Sequence, residues 1–420
     1  MIEYGIIPPR ILLPKEDFDR WAVIACDQFT SEPKYWQECD RLVGGEPSTL
    51  RIILPEAYLE QADVELRIES IKTNMWNYLR KDTLKELEEG FILVSRNTSD
   101  GVREGLVAAI DLDQYDYTKG AKPLIRPTED TITDRIPPRM RIRNGAPLES
   151  PHIMVLIDDP DKLLIESLFL ESLPLIYNFD LMQDGGKISG RFVGREYFPN
   201  IERALAKLFE GGESFYAVGD GNHSLATAKA CWEQLKPTLD ENQRLNHPAR
   251  FALVEITNIH CDGLKFHPIH RIVFDNKDAL AEICNELKRS GCNTRVEYEK
   301  DLFEAELKAK ENTVGHALPF CEYGQFGVLY LDAVHMLPYG VLQPALDKLA
   351  ALGTIRVDYI HGDDTLTELS ATGVGFFMPA IEKNSLFPTA DKYGALPKKT
   401  FSMGNAEDKR YYLECRKIYT

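Results

Sequence analysis

Between Glu56 and Glu89, apolar residues recur every three or four positions: Leu59, Val64, Leu66, Ile68, Ile71, Met75, Leu79, Leu84 and Leu87. That spacing predicts a helix with one buried stripe. Before it stand an irregular, proline-rich opening and the apolar run Trp21-Ala22-Val23-Ile24-Ala25-Cys26. After it, continuous apolar runs predict strands over 91–96 and 106–112. A buried strand is expected over 153–157, closed by Asp158-Asp159-Pro160, then a helix reaching about 172. A second helix over 201–209 is halted by Gly211-Gly212. A short strand over 214–218 feeds Asp220-Gly221-Asn222, an Ala-rich helix over 223–235 ends before Pro237, and a strand follows over 250–256. Beyond Phe274, helices over 277–290, 301–311, 340–351 and 363–370 alternate with strands over 293–298, 326–331, 355–360 and 373–378. The closing segment reads as loop until a strand over 410–419.

Hairpin-like strands mixed with separate helices predict an α+β fold with mixed sheets rather than a regular doubly wound one. Breaks near 115 and 275 divide the chain into expected subdomains over 1–115, 116–275 and 276–420.

Composition narrows the function. The 420 residues are 44% hydrophobic and 27% charged, enough for a sizeable core. The start of the chain lacks the basic-then-apolar pattern of a signal peptide, and no apolar run is long enough to span a bilayer. Eight scattered cysteines without a C-x-x-C pair read as reduced thiols, so a soluble, cytoplasmic protein is expected. A net charge of −17 disfavours nucleic acid and anionic membranes and points to a small-molecule partner, with an oligomer compatible.

The segment from Phe215 to Lys229 carries the clearest chemistry. A β-rich run enters Gly219-Asp220-Gly221, and the turn enters a helix. Glycine permits positive φ and close approach, while a helix start presents unpaired N–H groups and the positive dipole end. That is a phosphate-binding geometry, in which Asp220 would hold a metal or hydroxyl and His223 a phosphate oxygen. The plainer reading is that Asp220 and Asn222 simply cap the helix. A second concentration lies over 122–147, where Arg126, Arg135, Arg139, Arg141 and Arg143 alternate with five prolines. The prolines predict a fixed, non-helical path. The arginines call for a counter-anion, or else pair with local carboxylates.

Other groups are weaker. His260-Cys261-Asp262 with His267 and His270 matches no zinc spacing, so no metal site is assigned. His361-Gly362-Asp363-Asp364 reads as a cap, and Lys398-Lys399-Thr400 as a solvated pair or a lid contact. No P-loop, G-x-S-x-G, H-E-x-x-H or tight G-x-G-x-x-G occurs.

The segments WAVIACDQFTSEPKYW from Trp21, IRPTEDTITDRIPPRMRIRNGAPLESPHIMVLIDDP from Ile125, VGDGNHSLATAK from Val218 and HPIHR from His267 resemble domain-of-unknown-function family 1015 over essentially the whole length. More distantly, D-G-N-H-S resembles the D-G-H-H-R box of the ParB/sulfiredoxin/free-serine-kinase superfamily, which implies a central element of that kind binding nucleotide phosphates. Asp220, Gly221 and His223 match, Asn222 departs, and Ser224 replaces the arginine, so Arg126 or Arg271 would supply the charge. Arg126-Pro127-Thr128-Glu129-Asp130 resembles the superfamily's glutamate-bearing segment. The resemblance implies Glu129 as general base, with Asp220 and His223 in the catalytic set. Arg126, Gly219, Gly221, Asn222, Ser224, His270 and Arg271 would hold ATP or ADP with Mg²⁺. The implied activity is nucleotide-dependent phosphotransfer to a small, serine-like hydroxyl metabolite. The alternative is a non-catalytic sensor of a nucleotide or phosphometabolite.

Overall fold

A computed structural model describes residues 1–212, 214–333 and 337–419. The chain forms two compact units, one from Met1–Lys265 together with Met403–Thr420, the other from Phe266–Ser402. The fold is α+β, with mixed and antiparallel sheets packed by helices.

The first unit is built on a nine-stranded sheet. Eight strands run in the order Leu175–Asp180, Lys187–Val193, Phe91–Thr98, Gly101–Asp111, Phe251–Asn258, Met154–Ile157, Tyr216–Asp220 and Ile125–Pro127; Ile6–Ile7 pairs beside Gly101–Asp111. Alternate residues explain the continuous apolar runs. Phe91, Leu93, Leu106, Ala108, Val254 and Ile256 enter one core, whereas Ile92, Val94, Val107 and Leu253 enter the other. A strand covered on both faces has no polar side to show.

Two parallel pairings, Tyr216–Asp220 with Ile125–Pro127 and Phe251–Asn258 with Met154–Ile157, sit among antiparallel ones. The pairing of Tyr216–Asp220 with Met154–Ile157 shifts register between Val218 and Asp220. Such an irregularity re-aims the side chains beyond it, and here it falls just before the turn. Residues 403–420 return to this unit: Tyr411–Tyr412 pairs with Val23–Ile24, and Arg416–Lys417 with Leu148–Glu149. Arg410 lies in the core of this unit between Glu255 and Glu414, and the Tyr177 hydroxyl donates to Glu414.

The second unit holds a six-stranded antiparallel sheet ordered Asn293–Tyr298, Gln325–Asp332, His316–Glu322, Val374–Phe376, His270–Phe274 and Arg356–Ile360. Helices Ala279–Arg289, Leu302–Glu311, Pro338–Ala351 and Asp363–Leu369 fall close to the expected spans.

Several expectations need correction. The helix expected as far as Glu89 runs only over Val64–Arg80. Asp82 takes a left-handed φ of 57°, and Leu84–Glu89 continues as a strand paired with Arg10–Pro14. The proline-rich segment is not wholly non-helical, since Ile136–Arg143 is a helix with prolines in its first turn. There a missing N–H costs no intrahelical bond. The hairpin Leu175–Asp180/Lys187–Val193, the strand His316–Glu322 and the helix Lys383–Tyr393 have no counterpart among the expected elements. The helix expected before 172 is a 3₁₀ turn, Glu166–Leu170.

Candidate functional site

The strand Tyr216–Asp220 passes through Gly221 into the helix Asn222–Leu235. Gly221 takes a left-handed φ of 77°, and a Cβ there would stand 2.9 Å from His152 O and from Ile153 Cα. Both atoms are backbone, so glycine is required for conformation and for space. No side chain caps this helix. The Asp220 carboxylate instead accepts the Gly221 N–H at 2.8 Å and pairs with Lys409 Nζ at 3.3 Å. The capping account of Asp220 and Asn222 therefore does not describe this turn. The first amides of the helix point forward without an intrahelical acceptor. Asn222 is half-buried, and its Oδ1 has no hydrogen-bond partner among the described residues.

The segment carrying Glu129 lies alongside. Ile125–Pro127 pairs in parallel with Tyr216–Val218, and Thr128 donates both its N–H (3.2 Å) and its hydroxyl (2.6 Å) to Val218 O. Glu129 is thus the next residue after one fixed beside the top of the strand. Three residues on, the Ile132 N–H reaches His223 Nε2 at 3.3 Å. A ring nitrogen that accepts an amide proton carries none of its own, so neutral His223 holds its proton on Nδ1. Residues 128–132 therefore cross the helix start, joining two segments some ninety positions apart.

Arg126 is set lower on the strand, opposite Ala217. Its guanidinium lies 3.9 Å over the Phe215 ring, and its Nε donates to Pro123 O. The neighbouring arginines meet carboxylates, as the plainer reading held: Arg139 pairs with Glu56, Arg141 with Glu65, and Arg143 with Glu149. His270 and Arg271 belong to the second unit. His270 Nε2 meets Asp363 at 2.8 Å, and its Nδ1 accepts the Met378 N–H. The buried Arg271 guanidinium donates to Gln343 and to the carbonyls of Ile269, Lys398 and Lys399, between the Tyr339 and Tyr359 rings. His260 pairs with Asp158 at 2.7 Å. Among the described residues no three His, Cys, Asp or Glu side chains form a group able to hold a metal ion.

Ser224, at the place of the box arginine, meets His152 Nε2 at 2.9 Å. His152 Nδ1 is 2.9 Å from the Tyr412 hydroxyl, which lies 3.0 Å from Cys26 Sγ. Burial holds the His152 imidazole below its ordinary pKa, against the pull of Asp27 and Asp220. Burial raises the Cys26 thiol to about 12, and it raises the Tyr412 phenol well above its usual value. Burial thus disfavours charge along this row. Beside it, burial works against the charge on Asp27, but His152, the Gln28 amide and Lys409 together hold its carboxyl below the ordinary range. A cavity of about 150 Å³ adjoins the row, lined by His152, Ser224, Tyr412 and Arg139 and otherwise largely by apolar side chains such as Ile53 and Met75.

Sequence reasoning missed His152, Tyr412, Asp27 and Lys409. The first and third sit inside the quoted segments from Ile125 and Trp21. Tyr412 and Lys409 come from a stretch that carries no motif.

The chain belongs to the family described as "Protein of unknown function (DUF1015)", whose model matches residues 6–417. No curated protein matches it. Among solved structures it is similar to a free serine kinase in complex with AMP, at 14% identity and a TM-score of 0.42, over 74% of this chain and 92% of that one. A conserved hypothetical protein from Pyrococcus furiosus gives 13% identity and 0.37, over 73% and 90% of the two chains. SbnI with a C-terminal truncation, from Staphylococcus aureus, gives 12% and 0.36, over 71% and 82%. No helix among the described residues is long and apolar enough to cross a membrane.

Proposed function

We propose that this member of the DUF1015 family is a nucleotide-dependent phosphotransferase that acts on a small hydroxyl-bearing metabolite. The observation that carries the reading is the crossing of residues 128–132 over the uncapped start of the helix Asn222–Leu235, through Thr128 on Val218 and Ile132 on His223. It supports reading Glu129, which lies between Thr128 and Ile132, as the base and the first helical amides as the phosphate donors.

In this reading the amides of the first helical turn and His223 Nδ1 bind the phosphoryl oxygens, where the helix dipole favours negative charge. Glu129 accepts the proton of the acceptor hydroxyl as the oxygen attacks phosphorus. Lys409, beside Asp220, supplies positive charge that Ser224 does not. Mg²⁺ would arrive on the nucleotide's own phosphates, and the Asp220 carboxylate would be a candidate ligand to it from the turn.

The protein is incubated with ATP or ADP, Mg²⁺ and a panel of amino and hydroxy acids, and phosphate transfer is followed by ³¹P NMR. Transfer that Glu129→Gln abolishes while nucleotide binding survives supports the reading. Tight nucleotide binding with no turnover on any acceptor favours a sensor. If neither nucleotide nor phosphate raises the melting temperature, the anion site is wrong.

A further inference from the structure

We infer that Ser224 is a covalent nucleophile, which takes the phosphoryl group from a nucleoside triphosphate and hands it on to the acceptor. This rests on the phosphotransferase reading and adds an intermediate to it.

Four observations converge on Ser224. Its Oγ lies 2.9 Å from His152 Nε2, within the reach that proton transfer needs. His152 is itself oriented, because its other nitrogen meets the Tyr412 hydroxyl at 2.9 Å. Ser224 stands in the first turn of a 14-residue helix, where negative charge on Oγ or on an incoming phosphoryl group is stabilised. Finally, Ser224 and His152 both face the cavity that Arg139 also lines. A nucleophile, a base and a third group that orients the base form the usual signature of an activated hydroxyl.

Hydrogen-bond direction strengthens the case. The Tyr412 hydroxyl has one proton, donated to Cys26 Sγ at 3.0 Å. Its oxygen then accepts from His152 Nδ1–H, which leaves Nε2 as the unprotonated nitrogen; Ser224 Oγ is 2.9 Å from Nε2 and 3.5 Å from Nδ1. Tyr412 is thus a positioning residue, and Ser224 and His152 carry the chemistry. Burial disfavours the charged imidazolium.

In the first half-reaction a bond forms between Ser224 Oγ and the γ-phosphorus, and the bond to the bridging oxygen breaks. The nucleoside diphosphate leaves with that electron pair, and the Oγ proton moves to His152 Nε2. In the second, the acceptor oxygen bonds to phosphorus and the Oγ–phosphorus bond breaks. Oγ recovers its proton from His152, and the acceptor's proton passes to Glu129.

Exchange of labelled ADP into ATP, with no acceptor present, tests this on the full-length protein. A phosphoseryl intermediate gives exchange, whereas direct transfer between two bound substrates gives none. Wild-type protein should exchange label and yield a Ser224 phosphopeptide on quenching. Ser224→Ala should do neither, although calorimetry should still detect ATP binding. His152→Gln should slow exchange about a hundredfold or more, and Tyr412→Phe should lower kcat for exchange with KM for ATP unchanged. If ATP binds and is turned over on an acceptor without exchange, or if Ser224→Ala exchanges normally, the intermediate is refuted and the phosphotransferase reading survives. If ATP does not bind at all, both fall.

Discussion

Replacing Gly221 by alanine tests whether the turn is held by conformation alone or by close approach as well. The left-handed φ of 77° costs a residue with a Cβ about 1–2 kcal/mol. At Gly221 the new carbon would also stand 2.9 Å from two backbone atoms of His152 and Ile153, just before the strand Met154–Ile157, which cannot swing aside as a side-chain tip does. Overpacking of that kind adds about 1–3 kcal/mol. Gly145 is the control, because its φ is 75° and nothing lies within 4 Å of its Cβ position. Gly145→Ala should therefore show the conformational cost only, and the difference between the variants isolates the contact. All four tryptophans, Trp21, Trp36, Trp76 and Trp232, lie in the first unit, so their fluorescence in urea follows its unfolding. The expected result is a lower midpoint for Gly221→Ala than for Gly145→Ala, with equal slopes, and loss of any stabilisation by ATP in Gly221→Ala alone. Equal midpoints and equal response to nucleotide would refute the close-approach argument.

Removing the Arg410 guanidinium with Arg410→Met leaves Glu255 and Glu414 without their buried cation, at a cost of about 3–5 kcal/mol; a urea midpoint near that of wild type would contradict it. Because burial lowers the folded-state pKa of His152, the unfolded chain binds that proton first. Its contribution to stability is therefore complete above pH 6.5 and is lost as pH falls from there through the lowered folded value. Melting temperatures between pH 7.5 and 5.5 should fall less steeply for His152→Gln than for wild type. Arg271→Ala should raise hydrogen exchange in His270–Phe274 and Val374–Phe376, since the side chain is buried and bonded to Gln343 and to backbone carbonyls. Unchanged protection there would show the guanidinium to be dispensable.

The turn itself was legible. A β-rich run, Gly-Asp-Gly and an Ala-rich stretch are local signals, and the helix begins within a residue of the expected place. The alternating elements after Phe274 were legible for the same reason, each being set by its own periodicity. Where two accounts shared a pattern, sequence alone chose badly. Leu84 and Leu87 fit a helical stripe as well as they fit a strand, and only the left-handed Asp82 separates the two. Prolines at 137 and 138 argue against a helix interior but suit a first turn. The row Cys26, Tyr412, His152 and Ser224 was out of reach, since it is assembled by tertiary pairing across as many as 386 positions. Tyr412 is delivered by a two-residue strand on Val23–Ile24, for which no periodicity exists.

The split of the first unit into Met1–Lys265 and Met403–Thr420 has a consequence during synthesis. Translation is vectorial, and the whole of Phe266–Ser402 must emerge from the ribosome before the missing piece appears. At about 5–20 residues per second that interval is on the order of ten seconds. Throughout it a nascent chain has the turn at Gly221 but neither Lys409 nor Tyr412. The stretches Val23–Ile24 and Leu148–Glu149 wait without their strand partners. Unpaired edges of this sort recruit chaperones or aggregate. The protein's demand for folding assistance should therefore concentrate in that window, and the contacts of Lys409 with Asp220 and of Tyr412 with His152 can form only once 403–420 arrives.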